Sequence, residues 1–251
     1  MAYVNRHPLA ILTVLILSAI LPGCDSDGPQ GPAGPNLTGD LIGFVSLSDL
    51  SGIQSQDRSG VTVAVEGTGI SAVTDSSGRW MLRNLPMGTY DIAFSKTGYG
   101  TKKSIGYQFV GGGQASYGTT SLSQLPGFTV TGLTATPSGD DITLSFAITG
   151  ALPAANRHIR IFVGTSAAIS SDPKNYRFVI LGILGSTSTA LSGSLPSQWF
   201  HSYGIPAGQT AYLIAYAEGY DSGAYIDPET GRNWYPNLNP IPSNIDTVAV
   251  P

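Results

Sequence analysis

SGVTVAVEGTGISAVTDSSGRWMLRNLPMGTYDIAFSKTGY, residues 59–99, is the stretch on which the fold of this chain turns. Val61, Val63 and Val65 alternate with Thr62, Ala64 and Glu66, the period of a strand with one buried face. Asp75-Ser76-Ser77-Gly78 then supplies an Asp that can bond its own backbone and a Gly free to take positive φ, which makes a turn. Trp80 and Leu82 alternate with Arg79, Met81 and Arg83, and Leu85-Pro86-Met87-Gly88 turns the chain again. Tyr90, Ile92 and Phe94 face inward, with Asp91, Ala93 and Ser95 outward, until Gly98 breaks the run. Read in order, the three strands form one continuous β-meander.

With Gly43 and Val45 before it, this pattern resembles the carboxypeptidase regulatory-like domain, a small transthyretin-like sandwich. Gly60-Val61-Thr62-Val63, Thr74-Asp75, Gly78-Arg79, Leu85-Pro86, Gly88-Thr89-Tyr90 and Gly98-Tyr99 carry the resemblance. It implies a scaffold with no catalytic residues to inherit.

A chain of 251 residues, 41% hydrophobic, can fill one large domain or two small ones. Its 32 glycines and 17 prolines against 11% charged residues point to many turns joining short strands, and nothing after residue 23 sustains a helical period. The expectation is an all-β protein of two consecutive β-sandwich domains, residues 40–124 and 125–251. They would meet at Gln124-Leu125-Pro126-Gly127 and fold independently. The charge of −4 and the scattered Arg79, Arg83, Lys96, Lys102, Lys103, Arg157 and Arg160 argue against a nucleic-acid partner.

Arg6 and the apolar run 9–20 have the proportions of a signal peptide, residues 1–23, that is removed. Leu21-Pro22-Gly23-Cys24 resembles a bacterial lipobox. The resemblance implies that Cys24 is diacylated and fixes the chain to a bacterial membrane in the cell envelope, with enough acyl chains for stable anchoring. As the single cysteine, Cys24 leaves no internal disulfide and no cysteine zinc cage. Asp25 resembles the inner-membrane retention signal of enteric bacteria. Residues 24–39 form a tether whose three Gly-Pro-x triplets reach roughly 28 Å at about 3.1 Å per residue in a polyproline-like conformation. Asn36-Leu37-Thr38 matches an N-glycosylation acceptor, but that belongs to a different secretory pathway and is set aside.

In the second domain, Ile142, Leu144, Phe146 and Ile148 alternate with Thr143, Ser145, Ala147 and Thr149 without a break. Further core rows follow at 159–163, 176–181 and 211–218, with a final strand at 245–250. The order resembles a fibronectin type III-like sandwich, with Tyr212, Ile214 and Tyr216 on its tyrosine-led strand and Gly219 closing it. Residues 184–208 read as an insertion, and 219–244 as a long extra segment, relative to a minimal module.

Few residues are arranged for chemistry. His158 and His201 have no second histidine at metal-ligand spacing, and no Gly-x-Ser-x-Gly elbow occurs. Gly111-Gly112-Gly113 lacks the following helix and lysine of a phosphate loop. Asp221, Asp227 and Glu229 could serve glycoside hydrolysis or hold calcium, although Asp227-Pro228-Glu229-Thr230-Gly231 also has the composition of a turn. No cofactor and no metal centre are expected. Two aromatic loops, Trp199, Phe200 and Tyr203 and then Tyr220, Tyr225, Trp234 and Tyr235, form a candidate binding platform at one end of the second sandwich. They would present it to a glycan or an envelope protein, the competing account being that they plug the core. The reading is a lipid-anchored envelope protein with non-catalytic binding or spacer modules. An accessory carbohydrate-binding lipoprotein of a polysaccharide-uptake system is the alternative, and a hydrolase the third.

Overall fold

The computed structural model describes residues 37–251. The expected signal peptide, Cys24 and nearly all of the expected tether lie outside those residues. What is described is all-β apart from one short helix.

The first half contains β1 (Thr38–Ser48), β2 (Thr62–Val65), β3 (Ser71–Val73), β4 (Arg79–Pro86), β5 (Gly88–Ser95), β6 (Lys102–Phe109) and β7 (Gln114–Ser123). They form two sheets of order β4-β1-β7 and β3-β2-β5-β6. The predicted turn is present, with the Asp75 carboxylate accepting from the Ser77 and Arg79 amides at 2.9 and 3.0 Å. The predicted continuous meander is not, because β4 leaves the sheet of β2 and β5 and pairs with β1 in the other. Alternation marks which residues face the core, and in a sandwich both sheets face the same one. Trp80 of β4 accordingly meets Phe94 of β5 across the interior, edge-on at 5.8 Å between ring centres. The Trp80 ring lies so close over Gly43 that no Cβ would fit there. Leu41, Val63, Val65, Leu82, Ile92 and Leu122 complete this core, each apolar side chain contributing about 1.5–3 kcal/mol by burial. A parallel ladder between β1 and β7, first strand and last, closes the unit.

The second half contains β8 (Phe128–Ser138), β9 (Asp141–Gly150), β10 (Arg157–Gly164), β11 (Phe178–Leu184), β12 (Ala190–Pro196), α1 (Ser197–Ser202), β13 (Thr210–Glu218), β14 (Tyr225–Ile226), β15 (Asn233–Trp234) and β16 (Asp246–Ala249). Sheets β12-β9-β8 and β11-β10-β13-β16 enclose a separate core. Ile142, Leu144, Phe146 and Ile148 enter it from β9 as their alternation requires. Residues 184–208 are no insertion: they hold β12, a member of the sheet, and α1.

β13 is apolar on both faces, and the structure buries both. Ala211, Leu213, Ala215 and Ala217 face the sandwich core, while Ile214 and Tyr216 join Phe162, Ile169, Tyr176 and Leu238 in a third cluster on the outer side. The cover is residues 219–245, a strap laid along the outside of the sheet. It is held by Gly219 N–H to Asn237 O at 2.8 Å, Asn239 N–H to Ala217 O at 2.9 Å and Ser243 N–H to Ala215 O at 2.8 Å. Beneath it the Arg160 guanidinium grips the buried Glu218 carboxylate at 2.7–3.1 Å, with the Tyr235 ring 4.4 Å above the guanidinium carbon. Burial pushes the Glu218 carboxyl up, and Arg160 only partly opposes it.

The same strap joins the two halves, which belong to one compact unit. Asn239 donates to Pro126 O and Phe128 O, both at 2.9 Å, and so clamps the junction. Asp221 N–H reaches Ser123 Oγ at 3.4 Å, the Tyr220 ring rests on Gly52, and Leu125 N–H bonds Gly98 O at 2.9 Å across the joint.

Candidate functional site

α1 is six residues long and begins after Pro196, which cannot donate a hydrogen bond. It ends in a Schellman arrangement: Gly204, at φ 78°, donates to His201 O at 3.0 Å and Ile205 donates to Phe200 O at 3.0 Å. Phe200 and Ile205 are fully buried, and the Phe200 ring meets Phe178 edge-on at 5.2 Å. The helix is thus pinned from below. One turn apart on its other side stand Trp199 and Tyr203, 48% and 55% exposed. Tyr203 stacks on Phe178 at 4.7 Å and 14°. With Val179 and Ser202 these rings line an open cleft of about 570 Å³.

The remaining aromatic candidates go elsewhere. Tyr225 and Trp234 face each other across the β14–β15 hairpin and line a second cleft, of about 390 Å³, whose other wall is Glu66, Asp91, Lys103 and Ile105 of the first sandwich. Lys103 and Glu66 form an ion pair there at 2.7 Å, and the hydrogen bond to Glu66 raises the lysine above its ordinary value. Burial raises the Tyr225 phenol. Tyr235 packs edge-on to Phe162 at 5.7 Å, and Tyr220 lies 6.0 Å from His158. Tyr176 donates to Asn233 O at 2.6 Å under the strap, its phenol pushed up to about 12 by burial.

The expected single platform is therefore corrected. The two clefts share no lining residue, Phe200 is core, and Tyr235 and Tyr220 serve the strap and the joint. The two loops diverge because the strap runs over the apolar outer face of β13, whereas α1 packs at the Phe178 end of β11.

The acidic candidates are divided among separate partners. Asp221 accepts from Gly223 N–H at 3.0 Å. Asp227 accepts from the Thr230 amide and hydroxyl at 2.8 and 2.7 Å, and the hydroxyl bond holds its carboxyl below the usual range. Glu229 pairs with Lys174 at 2.7 Å. Among the described residues no three His, Cys, Asp or Glu side chains converge as a metal site would require. His201 bonds the Pro251 carbonyl oxygen through Nε2 at 3.1 Å, and burial holds His158 below its ordinary value.

Sequence reasoning missed α1 itself and the part played by Phe178 and Val179. Six residues are too few to display a helical period, but the bracket of Pro196 before and Gly204-Ile205 after was visible. Phe178 lies twenty-one residues before Trp199 and only the fold brings them together.

No curated protein matches the chain. Among solved structures, one match is a type II cohesin–X-dockerin interface variant from Acetivibrio cellulolyticus, 22% identical over 33% of this chain and 56% of that one, with a TM-score of 0.29. The present chain thus spans little more than half of that relative. A candidate carbohydrate-binding protein from Bacteroides uniformis is 15% identical, covering 86% of this chain and 100% of its own, with a TM-score of 0.31. A DUF3823 family protein from Bacteroides ovatus is also 15% identical, over 85% and 100%, with a TM-score of 0.31. A family model, that of the CarboxypepD_reg-like domain, matches residues 53–109, which takes in β2 to β6 of the first sandwich.

Proposed function

We propose that this is a lipid-anchored cell-envelope protein whose sandwiches act by binding rather than catalysis, with a carbohydrate as the ligand of the α1 cleft. The observation that carries the binding reading is the pair Trp199 and Tyr203. Both are large flat rings left in solvent on a helix that is itself pinned by Phe200 and Ile205. Rigid aromatic faces one helical turn apart suit the apolar faces of pyranose rings, and Ser202 adds a hydroxyl beside them. Anchoring rests on the lipobox-like Leu21-Pro22-Gly23-Cys24. The non-catalytic reading draws on the matched regulatory-like family model and on carboxylates already committed to local bonds. The second sandwich we read as fibronectin type III-like, supported by its sheets of order β12-β9-β8 and β11-β10-β13-β16.

Two experiments test the parts separately. Replacing Cys24 by Ala should release the chain from the membrane fraction and abolish fatty-acid labelling; a variant as firmly bound and labelled as the parent sinks the anchor. A glycan array probed with the purified chain should show binding that Trp199→Ala removes, and a blank array sinks the carbohydrate reading alone.

A further inference from the structure

An outer strand of a sheet presents a row of unpaired backbone groups, and folded proteins blunt such edges with charge, proline, bulges or shortness. Most edges of this molecule carry one of those devices. β4 has Arg79 and Arg83, β6 has Lys102 and Lys103, and β8 and β12 carry Pro137 and Pro196. β3 and β16 have only three and four residues, and the ladder of β7 breaks register opposite Ile42 and Gly43.

β11 has none of them. It is the terminal strand of its sheet, pairing among the described residues with β10 alone, through seven consecutive residues without a break in register. Its sequence, Phe178-Val179-Ile180-Leu181-Gly182-Ile183-Leu184, has no charge and no proline. Leu181 and Ile183 stand 48% and 50% exposed among the described residues.

We infer that β11 is a self-association edge: two copies of this chain pair their β11 strands antiparallel about a two-fold axis at Leu181, joining two four-stranded sheets into one of eight. A second copy is the occupant because the edge suits itself. A strand with charge of one sign brings like charges close together when it is set beside its own copy, and β11 carries no charge. The two-fold sets Leu181 against Leu181 and Val179 against Ile183 on the outer face, aliphatic cross-strand pairs of the kind that stabilise sheets. The lack of charge sets this edge apart from the lysine-bearing β6 and the arginine-bearing β4. It also has a consequence for binding. The α1 cleft adjoins the Phe178 end of β11, so an antiparallel pair carries two clefts at opposite ends, about 20 Å apart along the strand at 3.4 Å per residue.

The test is light scattering of the full-length chain in detergent, with the micelle mass separated, at concentrations up to roughly 1 mM. The parent should reach twice the protomer mass. Leu181→Lys and Leu181→Glu, each changing an exposed side chain, should be monomeric with an unchanged circular dichroism spectrum. An equimolar mixture of the two should regain the dimer, because opposite charges then meet at the axis. A parent that stays monomeric throughout overturns the inference, including the case in which an unrelated extended peptide is found on β11. So does a dimer that persists in both charge variants, which would place the interface elsewhere, and so does a mixture that fails to reassociate.

Discussion

Two regions read alike in the sequence and behave oppositely in the structure. Residues 197–203 and 219–245 are both connections between strands, and both mix aromatic with polar residues. The first puts Trp199 and Tyr203 into solvent above a helix locked by Phe200. The second spends its aromatics on the outer face of the β11-β10-β13-β16 sheet and on the joint with the first sandwich. Aromatic richness in a connection thus says that apolar surface will be covered. Whether the chain or a ligand covers it depends on what lies beside the connection, and β13, apolar on both faces, decides it for the strap.

The contrast would break most visibly at Arg160. If the strap is part of the fold rather than a loop, Arg160→Ala leaves Glu218 buried without its partner and should cost about 3–5 kcal/mol at neutral pH. The pH dependence fixes the cause. Burial already raises the Glu218 carboxyl above its ordinary 4.5, and losing Arg160 raises it further. A carboxyl raised on folding contributes stability that is full below its unfolded value and is lost as pH rises through its folded value. The deficit of Arg160→Ala should therefore shrink as the pH is lowered toward about 4. Denaturant midpoints of parent and variant across that range check it; a deficit independent of pH would assign the loss to packing against Tyr235 instead.

A smaller effect sharpens the same point at the junction. Asn239 is buried and donates to two carbonyls, Pro126 O and Phe128 O. Asn239→Ala leaves both acceptors unpaired and should cost about 1–3 kcal/mol. Hydrogen exchange should show faster opening at the Gly219 and Ser243 amides, which donate between the strap and β13. A change within about 0.5 kcal/mol would make residues 219–245 a passive connection after all.

Much of this architecture was legible in advance, for one physical reason. A period of two reports burial directly, so Val61 to Val65, Trp80 and Leu82, and Ile142 to Ile148 fell on the faces their alternation assigns. Alternation is silent on which sheet a strand joins, and the departure of β4 from a meander was beyond it. Double burial of β13 was visible in principle, since Tyr212, Ile214 and Tyr216 oppose Ala211, Leu213 and Ala215 with little polar material between. Composition brought Trp199 and Tyr203 into the candidate site. Their separation from Trp234 was not legible, because it depends on the strap's path over a face that no local window contains.

The smallest stability effect is the one that decides what the α1 cleft is for. Trp199 is 48% exposed, whereas its neighbour Phe200 is fully buried. A buried aromatic cut to Ala loses about 3–5 kcal/mol through lost transfer energy and the cavity left behind, and Phe200→Ala should fall in that range. Trp199→Ala opens no cavity beneath the helix, since Phe200 and Phe178 fill that space, and should stay within about 1 kcal/mol of the parent. The two midpoints, measured on the same chain in the same denaturant, set the scale for each other. A Trp199→Ala loss approaching that of Phe200→Ala would move Trp199 into the class of the strap aromatics, as a covering residue whose surface is already spoken for. A near-neutral midpoint together with lost glycan binding would mean that a large flat apolar ring is held in solvent at no benefit to the fold, which leaves a ligand as the reason for its position.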